Sequence, residues 1–370
     1  MHVPFCASRC PYCDYAVTVG ALDLAAAFVD RTLERLQRHC DAVGAIAGTA
    51  SVGYIGGGTP SLLSPEQLSR LVAAVAARSA AGSELTVELN PEHLSPQLLE
   101  RCASAGATRV SLGVQVVQTP LLHRLGRVAD GYQVARALAG LASWGGASNV
   151  DVLAGVPGQR AADLRETLRA AADATDHITL LELTGEGQGA ADQQDLWLEG
   201  ASWLRDVGFE QYETVHFGRA GSRSRYVVHV AQLHPLVAVG PGAEGLLPVE
   251  RAAGGIAAAR TWYGHSLAGY LHAADGGYRQ EPVDGRTLAA DALLGGLRLA
   301  AGVERATWRR RFGAPAEAAL DGVVARWQEH GLAVADDEGW RLTANGALRS
   351  DGLAAEAVAA LPDAVSLVWP

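Results

Sequence analysis

At 370 residues, 49% of them hydrophobic, the chain is long enough for one large domain and a smaller one around a sizeable core, and its formal net charge of −10 disfavours a non-specific binder of nucleic acid or of an anionic membrane. All 30 basic residues are arginine, which a high-GC coding bias explains and from which no function follows. Five cysteines, three of them between positions 6 and 13, do not make the even-numbered framework of a short secreted protein; with no leader-like N-terminus and no uncharged apolar run of about 18 residues, a reducing, cytoplasmic setting is expected.

Along the first 240 or so residues, short apolar β-branched runs alternate with Ala/Leu/Arg-rich stretches of helical period. Strands are predicted at His2–Phe5, Val52–Gly56, Leu85–Asn90, Arg109–Val114, Val150–Ala154 and Ile178–Leu183, with helices between them at about 22–43, 64–79, 95–105, 131–143, 161–174 and 190–207. Regular β-α alternation argues for a parallel sheet, doubly wound or curved into a full or partial barrel. Beyond Phe209, QYETVHF and HPLVAVG read as further strands joined by the polar turn GRAGSRSR. The barrel-like unit closes there, which gives a first unit over 1–245, a connecting segment over 246–286 and a C-terminal unit over 287–370. From about Arg260 the pattern is helical, and residues 287–365 read helix, helix, helix, a hairpin turning at Asp336–Gly339, and a last helix. That order resembles a winged-helix module, for which the acidic balance favours packing or substrate cover over DNA binding.

The chemistry concentrates at the predicted strand ends. HVPFCASRCPYCDY places Cys6, Cys10 and Cys13 at Cys-x3-Cys-x2-Cys after the first strand. Three thiolates bind an iron-sulfur cubane while leaving one iron open to a reactant; a zinc knuckle with a distant fourth ligand, or three packing cysteines, are the alternatives. YIGGGTPSLL ends the second strand with Gly56, Gly57, Gly58 and Thr59, where absent Cβ atoms let a backbone edge approach a ligand, although a triple glycine alone also makes a tight turn. Glu88, Gln115 and Asp151 interrupt apolar strand ends, and Arg127 follows in LGR. Individually such groups cap helices or form buried pairs; together they suit a polar ligand, with a carboxylate for hydroxyl or ammonium groups and a guanidinium for a carboxylate. Cys40 and Cys102 lie in helical stretches as packing residues, and the histidines outside the first strand show no metal-ligand spacing. His216, after QYETV, is the candidate proton handler, with Tyr212 and Glu213 beside it as further catalytic candidates. Trp262 and Tyr270 are expected in the core, with cover of an aromatic substrate as the alternative.

The ordered set HVPFCASRCPYCDY, YIGGGTPSLL, VELNPEHL, GATRVSLGVQ, LGR, VDVLAGVPGQ, GFEQYETVHF and VGPGAEG, with LRLAAGVE in the tail, spans nearly the whole chain. It resembles the radical S-adenosylmethionine (SAM) superfamily, in the branch of the coproporphyrinogen III dehydrogenases (HemN), the haem chaperones (HemW) and the class C methylases. The resemblance implies an α/β fold, a partial (β/α)6 radical SAM barrel with a C-terminal helical, winged-helix-like domain. It further implies a 4Fe-4S cluster on Cys6, Cys10 and Cys13, and two SAM molecules. Gly57 and Glu88 would contact the cluster-bound SAM; Tyr12, Gly58, Thr59, Gln115, Arg127, Asp151 and Thr184 would line the second.

Three departures narrow the branch. Met1 stands where the family carries a tyrosine ahead of the histidine of HVPFC, which leaves part of the first SAM contact open. The HNxxYW signature of the haem chaperones is replaced by Tyr226-Val227-Val228-His229-Val230-Ala231, and Tyr15 stands where the dehydrogenases add a further cysteine. The expected function is therefore a class C radical SAM C-methyltransferase. It would alkylate an sp2 carbon of a heteroaromatic natural-product intermediate such as a thiazole or indole, small or peptide-borne, with an external one-electron donor such as flavodoxin or ferredoxin. The alternatives are a HemW-like haem carrier and a coproporphyrinogen dehydrogenase-like oxidoreductase.

Overall fold

A computed structural model of the chain describes residues 1–183, 190–250 and 256–368. The chain enters through a short strand, β1 (His2–Val3), after which β2 (Phe5–Cys6) pairs with β3 (Thr18–Val19) and ties down both ends of the cysteine loop. Helix and strand then alternate: α1 (Ala25–Ala47), β4 (Ala50–Gly57), α2 (Pro65–Ala76), β5 (Ser79–Leu89), α3 (Pro96–Ser104), β6 (Arg109–Gln115), α4 (Thr119–Arg124), α5 (Gly131–Ala142), β7 (Ala147–Ala154), α6 (Ala161–Ala174), β8 (His177–Glu182) and α7 (Ala190–Asp206). The helix starts follow local chemistry. Ser64 and Asp130 each form a capping box with the glutamine three residues on, and Pro65 and Pro96 occupy the first helical position, where no amide hydrogen is needed.

Six parallel strands make one sheet in the order β1-β4-β5-β6-β7-β8, and the hairpin β9 (Glu210–Glu213) and β10 (His216–Gly218) extends it, with β10 antiparallel to β8. Side chains alternate across a strand, and here the alternation separates apolar from polar. Leu85, Val87 and Leu89 of β5, Val110, Leu112 and Val114 of β6, Val150 and Val152 of β7, and Ile178 and Leu180 of β8 are fully buried in one cluster with helix residues such as Leu68, Val134 and Leu168. The intervening positions, Thr86 and Glu88, Arg109, Ser111, Gly113 and Gln115, Asn149 and Asp151, and His177 and Thr179, line the lumen.

The remaining chain builds two smaller sheets. After α8 (Arg225–Ala231), β11 (Glu244–Glu250), β12 (Ile256–Tyr263) and β13 (Tyr278–Val283) form an antiparallel sheet, with α9 (Leu267–His272) between the last two. This corrects the helical reading of the segment from Arg260: alanine-rich as it is, β12 pairs with β11 on one edge and β13 on the other. HPLVAVG is likewise no strand. Leu236 makes a single bridge to Leu246, Pro235 has no amide to donate, and the Val239 carbonyl accepts the His2 amide of β1. The C-terminal module follows the predicted order. Helix α10 (Gly285–Gly296) is followed by β14 (Val303–Glu304), and α11 (Arg305–Glu329) breaks at Gly313 with φ of 84° just ahead of Pro315. The hairpin β15 (Ala333–Ala335) and β16 (Gly339–Leu342) joins β14 in a three-stranded sheet, and α12 (Ala344–Ala347) and α13 (Ser350–Ala360) end the fold. Trp308, Phe312, Trp327 and Trp340 anchor its separate core. Tyr270 is a core residue, as expected, bonded to Thr32.

One buried ion pair ties the barrel to α8. Glu84 accepts hydrogen bonds from the Ser224 hydroxyl and the amides of Arg225 and Tyr226, and lies 3.6 Å from Arg109, which also donates to the Ser222 carbonyl. Removing one partner strands the other charge, so Glu84→Ala is expected to cost about 3–5 kcal/mol in chemical denaturation, while a distant surface change such as Glu100→Ala stays near zero.

Candidate functional site

A cavity of about 570 Å³ opens at the C-terminal ends of the parallel strands and runs down the lumen. Cys6, Cys10 and Cys13 all line its mouth, none of them in a disulfide, and Thr59 donates a hydrogen bond to the Cys6 sulfur at 3.6 Å. The glycine run of β4 serves the protein's own packing first: a Cβ on Gly58 would sit 2.7 Å from the Phe5 carbonyl and 3.0 Å from the Cys6 sulfur. The glycines thus hold the cysteine loop against the second strand, a role that the expectation of ligand approach alone did not contain. Cys40 and Cys102 lie elsewhere, Cys102 buried in the helix layer.

Glu88 faces the same cavity, accepting from the Gly57 amide at 2.9 Å and the Tyr54 hydroxyl at 2.5 Å. Burial, with the nearby Asp151 charge, pushes its carboxyl up to about 7 against those two hydrogen bonds. Tyr54 in turn stacks on Tyr226 with ring centroids 4.4 Å apart. Gln115 ends β6 in the left-handed region at φ of 68°, where the register with β7 shifts. A non-glycine residue there costs about 1–2 kcal/mol. Arg127 donates to the Gly113 carbonyl at 2.8 Å and reaches the cavity wall beside Gln115. Asp151 accepts from Ser111 and Asn149.

Thus Tyr12, Gly57, Gly58, Thr59, Glu88, Gln115, Arg127, Asp151 and His216 are brought to one cavity with the three cysteines. Thr184 lies outside the described residues. Tyr212 and Glu213 lie beside His216, as the sequence order implies, but outside the cavity lining. Tyr212 is buried, its hydroxyl bonded to His177 and to the Ser224 amide; Glu213 sits behind His216. Sequence reasoning missed Ser111, Asn149, His177 and Thr179 on the lumen wall. The signal was present, because each lies two residues from another polar position of its own strand. Burial lowers the proton affinity of His177, whose nitrogens are taken up by Asn149 and Tyr212, so it is a neutral structural group.

A second cavity, of about 740 Å³, lies behind Tyr54 and Tyr226 and is mostly apolar, with Val43, Val75, Leu236, Val237 and Leu247 on its walls and His229 among them. No helix among the described residues is long and apolar enough to cross a membrane.

Residues 1–171 match the radical SAM superfamily, and residues 283–349 match the HemN C-terminal domain. The chain is 30% identical to radical S-adenosyl methionine domain-containing protein 1, mitochondrial, of Bos taurus, over 98% of this chain and 88% of that protein. It is 33% identical to the haem chaperone HemW of Mycobacterium tuberculosis over 68% of this chain and 70% of that one. Anaerobilin synthase of Escherichia coli O157:H7 is 28% identical over 66% of this chain and 60% of its own length. The crystal structure of coproporphyrinogen III oxidase (HemN) from Escherichia coli shares the fold, with a TM-score of 0.79 at 19% identity over 96% of this chain and 88% of that one. A cysteine loop at the mouth of a partial barrel of six parallel strands, followed by a C-terminal module, agrees with both matches, and the chain belongs to the radical SAM superfamily, in its HemN/HemW-like branch.

Proposed function

We propose that this protein is a SAM-cleaving radical enzyme that holds its cluster on Cys6, Cys10 and Cys13 and uses the polar lumen beneath them as a substrate chamber. The observation that carries this reading is the single cavity joining the three thiols to Glu88, Gln115, Arg127 and Asp151. The donor set fits a cluster. Three cysteines outside any disulfide, carried on one loop at the cavity mouth, supply the one thiolate that a cubane takes at each of three irons. Superfamily membership brings a 4Fe-4S cluster and SAM with it, and together they supply one-electron cleavage of SAM to a hydrogen-abstracting fragment. The chain's own groups bind and orient. Glu88, fixed by two donors, presents a carboxylate to an ammonium or hydroxyl group; Arg127, anchored on Gly113, keeps further N–H donors for a carboxylate. The walls below are polar and offer further hydrogen-bonding groups to whatever occupies the lumen.

Within that reading, a second SAM against Gln115, Arg127 and Asp151, and methyl transfer to a heteroaromatic carbon with electrons from a flavodoxin or ferredoxin, is the finer proposal. It rests on these residues alone. The test is anaerobic reconstitution and reduction with dithionite. The protein should convert SAM to 5′-deoxyadenosine, and SAM with a deuterated methyl group should place deuterium in that product. Unlabelled 5′-deoxyadenosine would remove the two-SAM proposal; no cleavage would remove the enzyme reading.

A haem carrier is the second reading, favoured by the HemW relatives and by His229 on the wall of the apolar second cavity. Against it, the position of the HNxxYW histidine is Tyr226, packed on Tyr54. Haem titration separates the two: a stoichiometric Soret shift lost in His229→Ala, without SAM cleavage, would replace the enzyme reading.

A further inference from the structure

The end of the barrel hairpin is held by the C-terminal module. The Ala300 amide donates to the Tyr212 carbonyl at 2.9 Å, Glu213 bridges to Leu299, and Arg298 Nε donates to Glu213 Oε1 at 2.8 Å. The other Glu213 oxygen accepts from the Val215 amide at 2.9 Å and meets His216 Nδ1 at 2.7 Å. Burial alone would push this carboxyl up, but the bond and charge of His216, then the Val215 amide and the Arg298 charge, outweigh it and hold the group at about 2. A carboxylate only accepts, so the proton in that bond sits on His216 Nδ1, and loss of the ring's other proton leaves the lone pair on Nε2. His216 lines the lumen with its side chain 20% exposed, and its Nε2 has no protein partner among the described residues.

The groups around the ring leave it as the proton acceptor. His177, with centroids 5.8 Å away, and Tyr212, at 6.0 Å, are bonded to each other. On the lumen walls, Asp151 is engaged by Ser111 and Asn149, and Arg109 by Glu84 and the Ser222 carbonyl. We propose that His216 exchanges a proton with the substrate in the lumen, and that Arg298, delivered by the C-terminal module, is the positioning residue that keeps Glu213 aimed at it. The substrate is then one whose reacting portion carries an acidic N–H or C–H. That bond breaks with its electron pair left on the substrate, the proton passes to Nε2, and the imidazolium is paired with Glu213. This rests on the lumen being the substrate chamber.

The test is a pH series of long-range 1H–15N spectra on the full chain, cluster in place, with 15N-labelled histidine. The wild type should show His216 as the Nδ1–H tautomer. Glu213→Gln should lower its proton affinity about tenfold or more, the loss expected when an adjacent carboxylate is removed. Arg298→Gln should mix the two tautomers and Arg298→Lys should restore one, with circular dichroism confirming the fold of each variant. Diethyl pyrocarbonate should acylate His216, located by peptide mass spectrometry. An Nε2–H tautomer in the wild type, an unchanged ring spectrum in folded Arg298→Gln, or an unmodified His216 overturns the proposal. A wild type that does not cleave SAM under dithionite sinks the chamber reading instead, whatever the spectra show.

Discussion

Replacing Cys6, Cys10 or Cys13 singly by alanine should take cluster iron and 5′-deoxyadenosine formation to background, while Cys40→Ala and Cys102→Ala keep both. The asymmetry follows from placement. The first three thiols share the cavity mouth, whereas Cys102 is buried in the helix layer and Cys40 lies in α1. A cubane held by three thiolates has no reserve, because losing one leaves two irons without protein ligands. Iron analysis and the charge-transfer absorption read the cluster, and chromatography reads the product. Full iron content in any of the three alanine variants would show that the cluster is held elsewhere.

Glu88→Gln should produce the second large effect, visible in stability and in SAM binding. The Glu88 carboxyl is raised from 4.5 to about 7, with burial the largest cause. A group whose folded-state pKa is raised contributes stability that is whole below its unfolded value and is lost as pH rises through the folded value. The ligand-free wild type should therefore lose up to about 3 kcal/mol relative to Glu88→Gln between pH 4.5 and pH 7, reckoned at 1.36 kcal/mol per unit. Parallel denaturation curves for the two proteins across that window would contradict this. A ligand bringing an ammonium group against the carboxylate reverses the penalty, so the glutamine variant should bind SAM about 10- to 100-fold more weakly by equilibrium dialysis.

The parallel core could be read from the sequence because its strands are local apolar runs and several of its helices carry their own start signals, as at Ser64, Ser95 and Asp130. The antiparallel β11-β12-β13 sheet could not. Ala258 and Ala259 look helical in isolation, and pairing with Pro248 and Leu247 on one side and Val283 and Pro282 on the other makes them strand. The same distinction governs the site. Cys6, Glu88 and Gln115 stand out as polar groups at the C-terminal ends of their strands and Asp151 interrupts the apolar run of β7, whereas Asn149 and His177 lie toward the N-terminal ends of β7 and β8 and appear only when two-residue alternation is carried along the whole strand. Arg298 left no local trace, since its meaning depends on Glu213, 85 positions away.

Gln115 carries a consequence for anyone engineering this scaffold. Its left-handed backbone is a place where glycine would relax the chain, yet only a side chain there can reach the lumen beside Arg127. Variant libraries ranked by survival of heating would reward removing the carboxamide, and would steer toward sturdier proteins with an emptier site. Thermal tolerance is a misleading guide at this position, and a screen for ligand retention must run beside it.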